Sequence, residues 1–308
     1  MKKRILIVGG ISTELSMQAE VLANEKNEVC APIDYSITPG GPAAIAAVAI
    51  SRLGGEPILC SAVGDDTYGK ELVQFCNDLG MDTRFVKTVK GEKTAVDLFC
   101  EAEGERRVYK STSMLSAIDA DLVEDAFTTL PDAVYITMDL PAESVIRAAE
   151  LAREKKVLAF FDGQRIPDDF PLDQLGVIDL IALPPEKTEH FTGISPRNAQ
   201  SNLEAAVELY KTVRSKTYLF KFGVGGAFAY KGNFSYYIPY AEGADKRYTD
   251  LFVPAMIVET LRSGKNVRGA RYASTVIALA ARKGGLPILS VPNETEVLRY
   301  VLENEIEF

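Results

Sequence analysis

The chain has 308 residues, 47% of them hydrophobic and 25% charged, a globular composition that excludes disordered, fibrous and low-complexity classes and allows one large domain or two ordinary ones. Lysine and arginine number 34 against 43 aspartates and glutamates, a net charge of −9, and no basic tract compensates, so nucleic acid is set aside as the main partner. No stretch approaches the ~20 apolar residues of a membrane span, and the first residues lack the apolar core of a signal peptide, so no membrane partner is expected and the cytoplasm is the expected location.

Arg4 to Val8 reads as the first strand, and the Gly9-Gly10 pair after it lacks the G-x-G-x-x-G spacing of a dinucleotide site. Residues 11–38 alternate in the manner of a small sheet. Gly40-Gly41 then precede an alanine-rich helix over 41–54. Glycines let the backbone approach a ligand, and a helix opening there offers free N–H groups; a tight turn before a buried helix is the other reading. After the strand Pro57 to Val63, Gly64 to Glu71 comes close to a phosphate-binding loop. Glu71 stands where Ser or Thr is required, and Asp65 and Asp66 would point negative charge into the cradle, so that match is set aside. A helix follows over 67–79. Residues 94–112 bring two more alternating runs, Thr94 to Cys100 and Arg106 to Lys110, around a turn at 103–105. Together with 11–38 they predict a β-sheet lid at the mouth of the main body.

Further strands are predicted at Ala133 to Thr137, Val157 to Phe161, Leu180 to Leu183 and Tyr218 to Phe222, with helices near 143–155, 202–214, 250–262, 266–283 and 293–304. Strands alternating with helices predict an α/β protein with a mainly parallel sheet. Cys30, Cys60, Cys76 and Cys100 are widely spaced and read as reduced thiols, while the single histidine, His190, argues against histidine-based metal or triad chemistry. Near the C-terminus, Gly223-Val-Gly225-Gly226 follows a strand, and Thr249-Asp250 opens an apolar helix. Asp250 there is either a helix cap or a general base taking a proton from a hydroxyl, with helix N–H groups holding an anion.

Taken in order, Gly40-Gly41 with Leu53-Gly54, Val63-Gly64-Asp65-Asp66-x-x-Gly69, Gly80-Met-Asp82-Thr83, Gly104-Glu-Arg-Arg107, Asp162-Gly-Gln-Arg165, Thr192-Gly193, Lys221-Phe-Gly223-x-x-Gly226 and Asp250-x-Phe252 resemble the ribokinase-like (PfkB) carbohydrate kinases. The resemblance covers nearly the whole chain. It implies a three-layer αβα sandwich with a β-lid, one kinase domain over 1–308, ATP as phosphoryl donor, Mg²⁺, and Asp250 as base beside Thr249 and Arg247. Carried over position by position, it puts Glu14, Gly40, Gly41, Ile45, Asp162 and Arg165 at the substrate. Lys221, Gly223, Gly225 and Gly226 fall at the nucleotide, and Glu186 and Glu189 at the metal.

This chain departs from the family pattern in five places. The family's N-x-x-E element reads Pro184-Pro185-Glu186-Lys-Thr-Glu189, and Asp162-Gly-Gln-Arg165 is one residue shorter than its D-x-N-x-R. Ala244-Asp-Lys-Arg247-Tyr248-Thr249 replaces the glycine-bearing D-T-x-G-A-G run before the base, Ile45 stands at the family's asparagine, and Glu14 at its aspartate. The expected function is ATP-dependent phosphorylation of a hydroxyl on a small sugar or polyol, the alternative being a kinase-fold ligand-binding protein that has lost turnover. A lid without enough helix to cover both its faces predicts a homodimer joined there.

Overall fold

Runs such as Ile5-Leu6-Ile7-Val8 and Ala133-Val-Tyr-Ile136 are apolar at every position, so they demand cover on both faces, as only the middle of a parallel sheet provides. In a computed structural model that describes residues 2–24, 26, 28–102, 105–240 and 245–306, these runs are buried central strands. The first half of the chain forms β1 (Arg4–Val8), β2 (Ser12–Ala19), β3 (Pro32–Gly40), α1 (Pro42–Arg52), β4 (Glu56–Gly64), α2 (Thr67–Asp78), β5 (Asp82–Val89), β6 (Val96–Ala102), β7 (Glu105–Tyr109), α3 (Ala120–Phe127), β8 (Ala133–Thr137) and α4 (Ala142–Lys155). The second half adds β9 (Leu158–Asp162), β10 (Val177–Ile178), β11 (Leu180–Leu183), α5 (Pro185–Thr192), α6 (Ala199–Thr212), β12 (Arg214–Ser215), β13 (Tyr218–Lys221), β14 (Ala227–Lys231), β15 (Phe234–Ile238), α7 (Phe252–Ser263), α8 (Asn266–Lys283), α9 (Pro287–Ser290) and α10 (Glu294–Glu303).

The large sheet runs β15-β14-β13-β11-β9-β8-β1-β4-β5. It is parallel from β13 to β5, and the β14–β15 hairpin adds an antiparallel edge. One apolar core packs α1, α2, α7 and α8 against one face, and a second packs α3, α4 and α6 against the other. This is the expected αβα sandwich. The periodicity reading does not give β5, α3, α9, the β14–β15 hairpin or the two-residue β10 and β12: β5 has no fully buried position to mark an apolar face, and the others are eight residues or fewer.

The lid is a four-stranded sheet in the order β3-β2-β6-β7. In its register Glu14 opposes Thr38, Ser16 opposes Ser36 and Phe99, and Phe99 opposes Val108. Side chains alternate, so Glu14, Ser16, Gln18, Phe99 and Glu101 share the face toward the main body, while Leu15, Met17, Ile37, Leu98 and Tyr109 share the other. The inner face is mostly polar and the outer mostly apolar, with Ile33, Ile37 and Tyr109 exposed. The expected turn at Glu103 and Gly104, like Ala241 to Ala244, lies outside the described residues.

The largest departure from expectation is at the start of α7. Residues Lys246–Leu251 form a 3₁₀ turn, and α7 begins only at Phe252. Asp245 accepts a hydrogen bond from the Arg247 N–H and so caps that turn, whereas Asp250 sits inside it and caps nothing. An aspartate placed earlier in the chain has taken the capping role that the spacing assigned to Asp250.

Candidate functional site

The carboxyl ends of β1, β8, β9 and β13 open on one edge of the large sheet, and the lid stands over it, which is where ligands bind in such sheets. Between the two lies a cavity of about 560 Å³ lined by Glu14, Gly41, Ile45, Lys110, Arg165 and Asp250 among others. A second cavity of about 280 Å³ shares Gly41, Lys110 and Arg165 with it and adds Asp97 and Asp139.

The glycine pair serves this junction directly. Gly41 has φ 84°, and a β-carbon there would meet the Gly10 carbonyl oxygen and the Ser12 nitrogen, each at 2.9 Å. Its N–H donates to Glu14 Oε1 at 3.2 Å. Gly40 packs so tightly on Glu14 that a β-carbon would fall 2.2 Å from that side chain. The tight-turn reading of the pair holds, and the turn before α1 is also a wall of the cavities. Burial raises the Glu14 carboxyl above its ordinary range, and nearby Asp97 and Asp250 add to this, against the Gly41 hydrogen bond and Lys110.

Two carboxylate–cation pairs order the floor. Asp162, at the end of β9, takes both hydrogen bonds of Lys221 Nζ at 2.7 and 2.9 Å, one from the Tyr135 hydroxyl at 3.2 Å and one from the Gln164 N–H at 3.1 Å. Asp162 is 5% exposed and Lys221 3%. The Gln164 bond shapes the turn that carries Arg165, whose Nη2 lies 3.4 Å from Asp250 Oδ2. Their side chains keep 30% and 25% of their surface exposed. Burial acts to raise the Asp250 carboxyl, but Arg165, Lys221 and Lys110 outweigh it and hold the group below the usual carboxylate range. A carboxylate ionised and open to a cavity can accept a proton from a bound hydroxyl.

Of the residues singled out in the sequence, Asp250, Thr249, Arg247, Glu14, Gly41, Ile45 and Arg165 line the large cavity together, and Gly40 packs directly behind Glu14. Asp162 and Lys221 lie beneath the floor, paired with each other. Gly223–Gly225 form a 3₁₀ turn after β13 that packs against the 246–251 turn, closed by Gly226 at φ 91°. Glu186 and Glu189 are exposed on α5, away from both cavities. Among the described residues no three histidine, cysteine or acidic side chains gather to hold a metal. Cys60 and Cys76 are buried free thiols, Cys100 is a half-buried free thiol, and Cys30 is half-buried.

The backbone around Thr249 differs from the expected cluster of open donors. The Arg247 N–H is taken by Asp245 Oδ1 at 2.8 Å, the Tyr248 N–H by the Asp245 carbonyl at 3.1 Å, and the Phe252 N–H by the Thr249 carbonyl. A 3₁₀ turn bonds each residue to the third before it, which uses the N–H groups that an open glycine loop would leave free.

Three site residues went unrecognised. Asp97 is buried in β6, accepting from Ser12 Oγ and the Ser111 N–H, each at 3.1 Å, with Lys110 Nζ at 3.9 Å. Asp139 follows β8 and keeps one buried carboxylate oxygen without a hydrogen-bond partner among the described residues. A lone acid inside an apolar strand and an acid just past a parallel strand's carboxyl end were the available signals.

The profile described as pfkB family carbohydrate kinase matches residues 2–246. A ribokinase of Haemophilus influenzae is 23% identical over 98% of this chain and 99% of its own. Fructokinase-1 of Oryza sativa is 26% identical over 85% and 87%. Among solved structures, the Giardia lamblia ribokinase superposes with a TM-score of 0.87 at 18% identity, covering 98% and 99% of the two chains. The Arabidopsis thaliana ribokinase, complexed with ribose and ATP, gives 0.83 at 19% identity over 97% and 98%. No helix among the described residues is long and apolar enough to cross a membrane.

Proposed function

Because the chain belongs to the pfkB family of carbohydrate kinases, we propose that it transfers the γ-phosphoryl group of ATP to a hydroxyl of a small sugar or polyol, with Asp250 as general base. The observation that carries the reading is the Asp250 carboxylate, kept ionised by cations yet open to the cavity under the lid. In the reaction the acceptor O–H loses its proton to Asp250 as its oxygen bonds to the γ-phosphorus. The bond from that phosphorus to the β,γ-bridging oxygen breaks, and its electron pair leaves with ADP.

Glu14 and Asp139 then hold acceptor hydroxyls from two sides, the unpartnered oxygen of Asp139 being an acceptor in search of a donor. The nucleotide lies along the Gly223 to Gly226 turn toward Gly285, Leu286 and Pro287. Mg²⁺ would neutralise phosphate charge when bound, and it keeps several waters; Glu186 and Glu189, exposed on α5 away from both cavities, are given no direct contact with it. The apolar outer face of the lid is the surface through which we read a homodimer, testable by light scattering across concentration.

The test is ATP consumption against a panel of sugars, polyols and nucleosides, with and without Mg²⁺. Turnover on one acceptor, dependent on Mg²⁺, is expected. Ligand binding without turnover on any acceptor overturns the kinase reading in favour of a binding protein.

A further inference from the structure

Three features around Asp250 converge. The backbone donors of the 246–251 turn are consumed internally, so the chain near the base offers few N–H groups to an anion. Two cationic side chains, Lys110 and Arg165, line both cavities and meet where the cavities join. Neither is tightly held: Lys110 Nζ stands 3.9 Å from its nearest paired carboxylate, Asp97, and 5.8 Å from the Phe99 ring centroid, and Arg165 reaches Asp250 at 3.4 Å. These spacings are longer than a charge-assisted hydrogen bond, in contrast with Lys221 below them.

Resting on the kinase reading above, we propose that Lys110 is a catalytic residue: the lid brings its ammonium to the transferring phosphoryl group, where with Arg165 it supplies the anion stabilisation that the backbone turn does not. Lys110 follows β7 directly, so it moves with the lid, and a third of its side chain is exposed to the cavity region. Burial and the like charge of Arg165 disfavour its charged form, against Asp97, Asp250 and Glu14. An anion between the two cations relieves that repulsion, and a transferring phosphoryl group carries charge on three equatorial oxygens. The flanking carboxylates Asp97, Glu14 and Asp250 keep Lys110 oriented without saturating its three donors.

The test compares wild type, Lys110→Met and Lys110→Arg for folding by Tm, for binding of ATP and of ADP by calorimetry, and for kcat and KM on the best acceptor. Wild type is expected to bind ATP more tightly than ADP. Lys110→Met should remove that preference while leaving ADP affinity and Tm unchanged, and should lower kcat about 10²-fold with the acceptor KM little altered. Lys110→Arg should recover part of both. An unchanged ATP-to-ADP ratio in Lys110→Met, or a loss confined to the acceptor KM, overturns the proposal. If wild type turns over no acceptor, the kinase reading fails on its own, while the ATP-to-ADP ratio still decides the role of Lys110.

Discussion

Asp162–Lys221 and Asp250–Arg165 are both carboxylate–cation pairs at the carboxyl edge of one sheet, yet they do opposite things. The first is sealed, its charges buried and its carboxylate accepting four hydrogen bonds. The second is long and partly open to the cavity. A saturated pair has no capacity left for a substrate and serves to hold the Arg165 turn in place, whereas an unsaturated pair keeps a lone pair and a donor for incoming groups. Removing one partner of the sealed pair strands a charge in a low dielectric. Altering the open pair leaves water to compensate and changes the chemistry instead.

The widest separation comes from Asp250→Asn, which removes the proton acceptor but keeps size and polarity. Turnover should fall about 10²- to 10⁴-fold while Tm barely moves, measured on the best acceptor. Unchanged turnover would place the base elsewhere. Lys221→Met should instead act first on stability, costing about 3–5 kcal/mol in denaturant titration. Adding Asp162→Asn to it should restore part of the loss, because the stranded charge is gone.

A finer probe is pH. Since the Asp250 carboxyl is held low by Arg165, Lys221 and Lys110, the acid limb of kcat/KM should lie below the ordinary carboxylate range. Lys110→Met or Arg165→Met removes a cation and should move that limb upward. An acid limb that stays put in both variants would show that the field at Asp250 does not come from these side chains.

The smallest expected effect belongs to Glu14, whose carboxyl is pushed up by burial. A raised carboxyl favours the protonated form in the folded state, so wild type loses stability as pH rises through that value. Glu14→Gln keeps an oxygen for the Gly41 N–H. It should melt slightly higher than wild type at pH 8, and the gap should close near pH 4.

The same contrast explains how much could be read from the chain alone. The αβ rhythm was legible because central strands such as Ile5 to Val8 are apolar without a break, and the lid because 94–100 and 106–110 alternate. Asp250, Arg165, Glu14 and the glycine pair were legible through their order along the chain. Lys110, Asp97 and Asp139 were not, because their meaning arises only when the lid and the ends of β8 and β9 come together. In isolation each looks like an ordinary charge in or beside a strand. The 3₁₀ turn was missed for a different reason: Asp245 and Asp250 are both credible caps, and only the folded chain shows which one takes the N–H.

The contact of Gly40 with Glu14 sets how this protein can change in length. Strand β3 lies at the edge of the lid, where sliding by one residue exchanges the faces of every side chain. At the Gly40 end there is no room to slide, because any β-carbon brought there would collide with Glu14. At the far end the β2–β3 pairing already shifts register between Gln18 and Ala19. Residues added between 20 and 31 therefore leave the cavity lining intact. One residue added between Ile37 and Gly40 would turn Ile37 inward and Ser36 outward, exchanging a polar wall for an apolar one. In this chain the lid can therefore gain length at its outer end without disturbing the cavity.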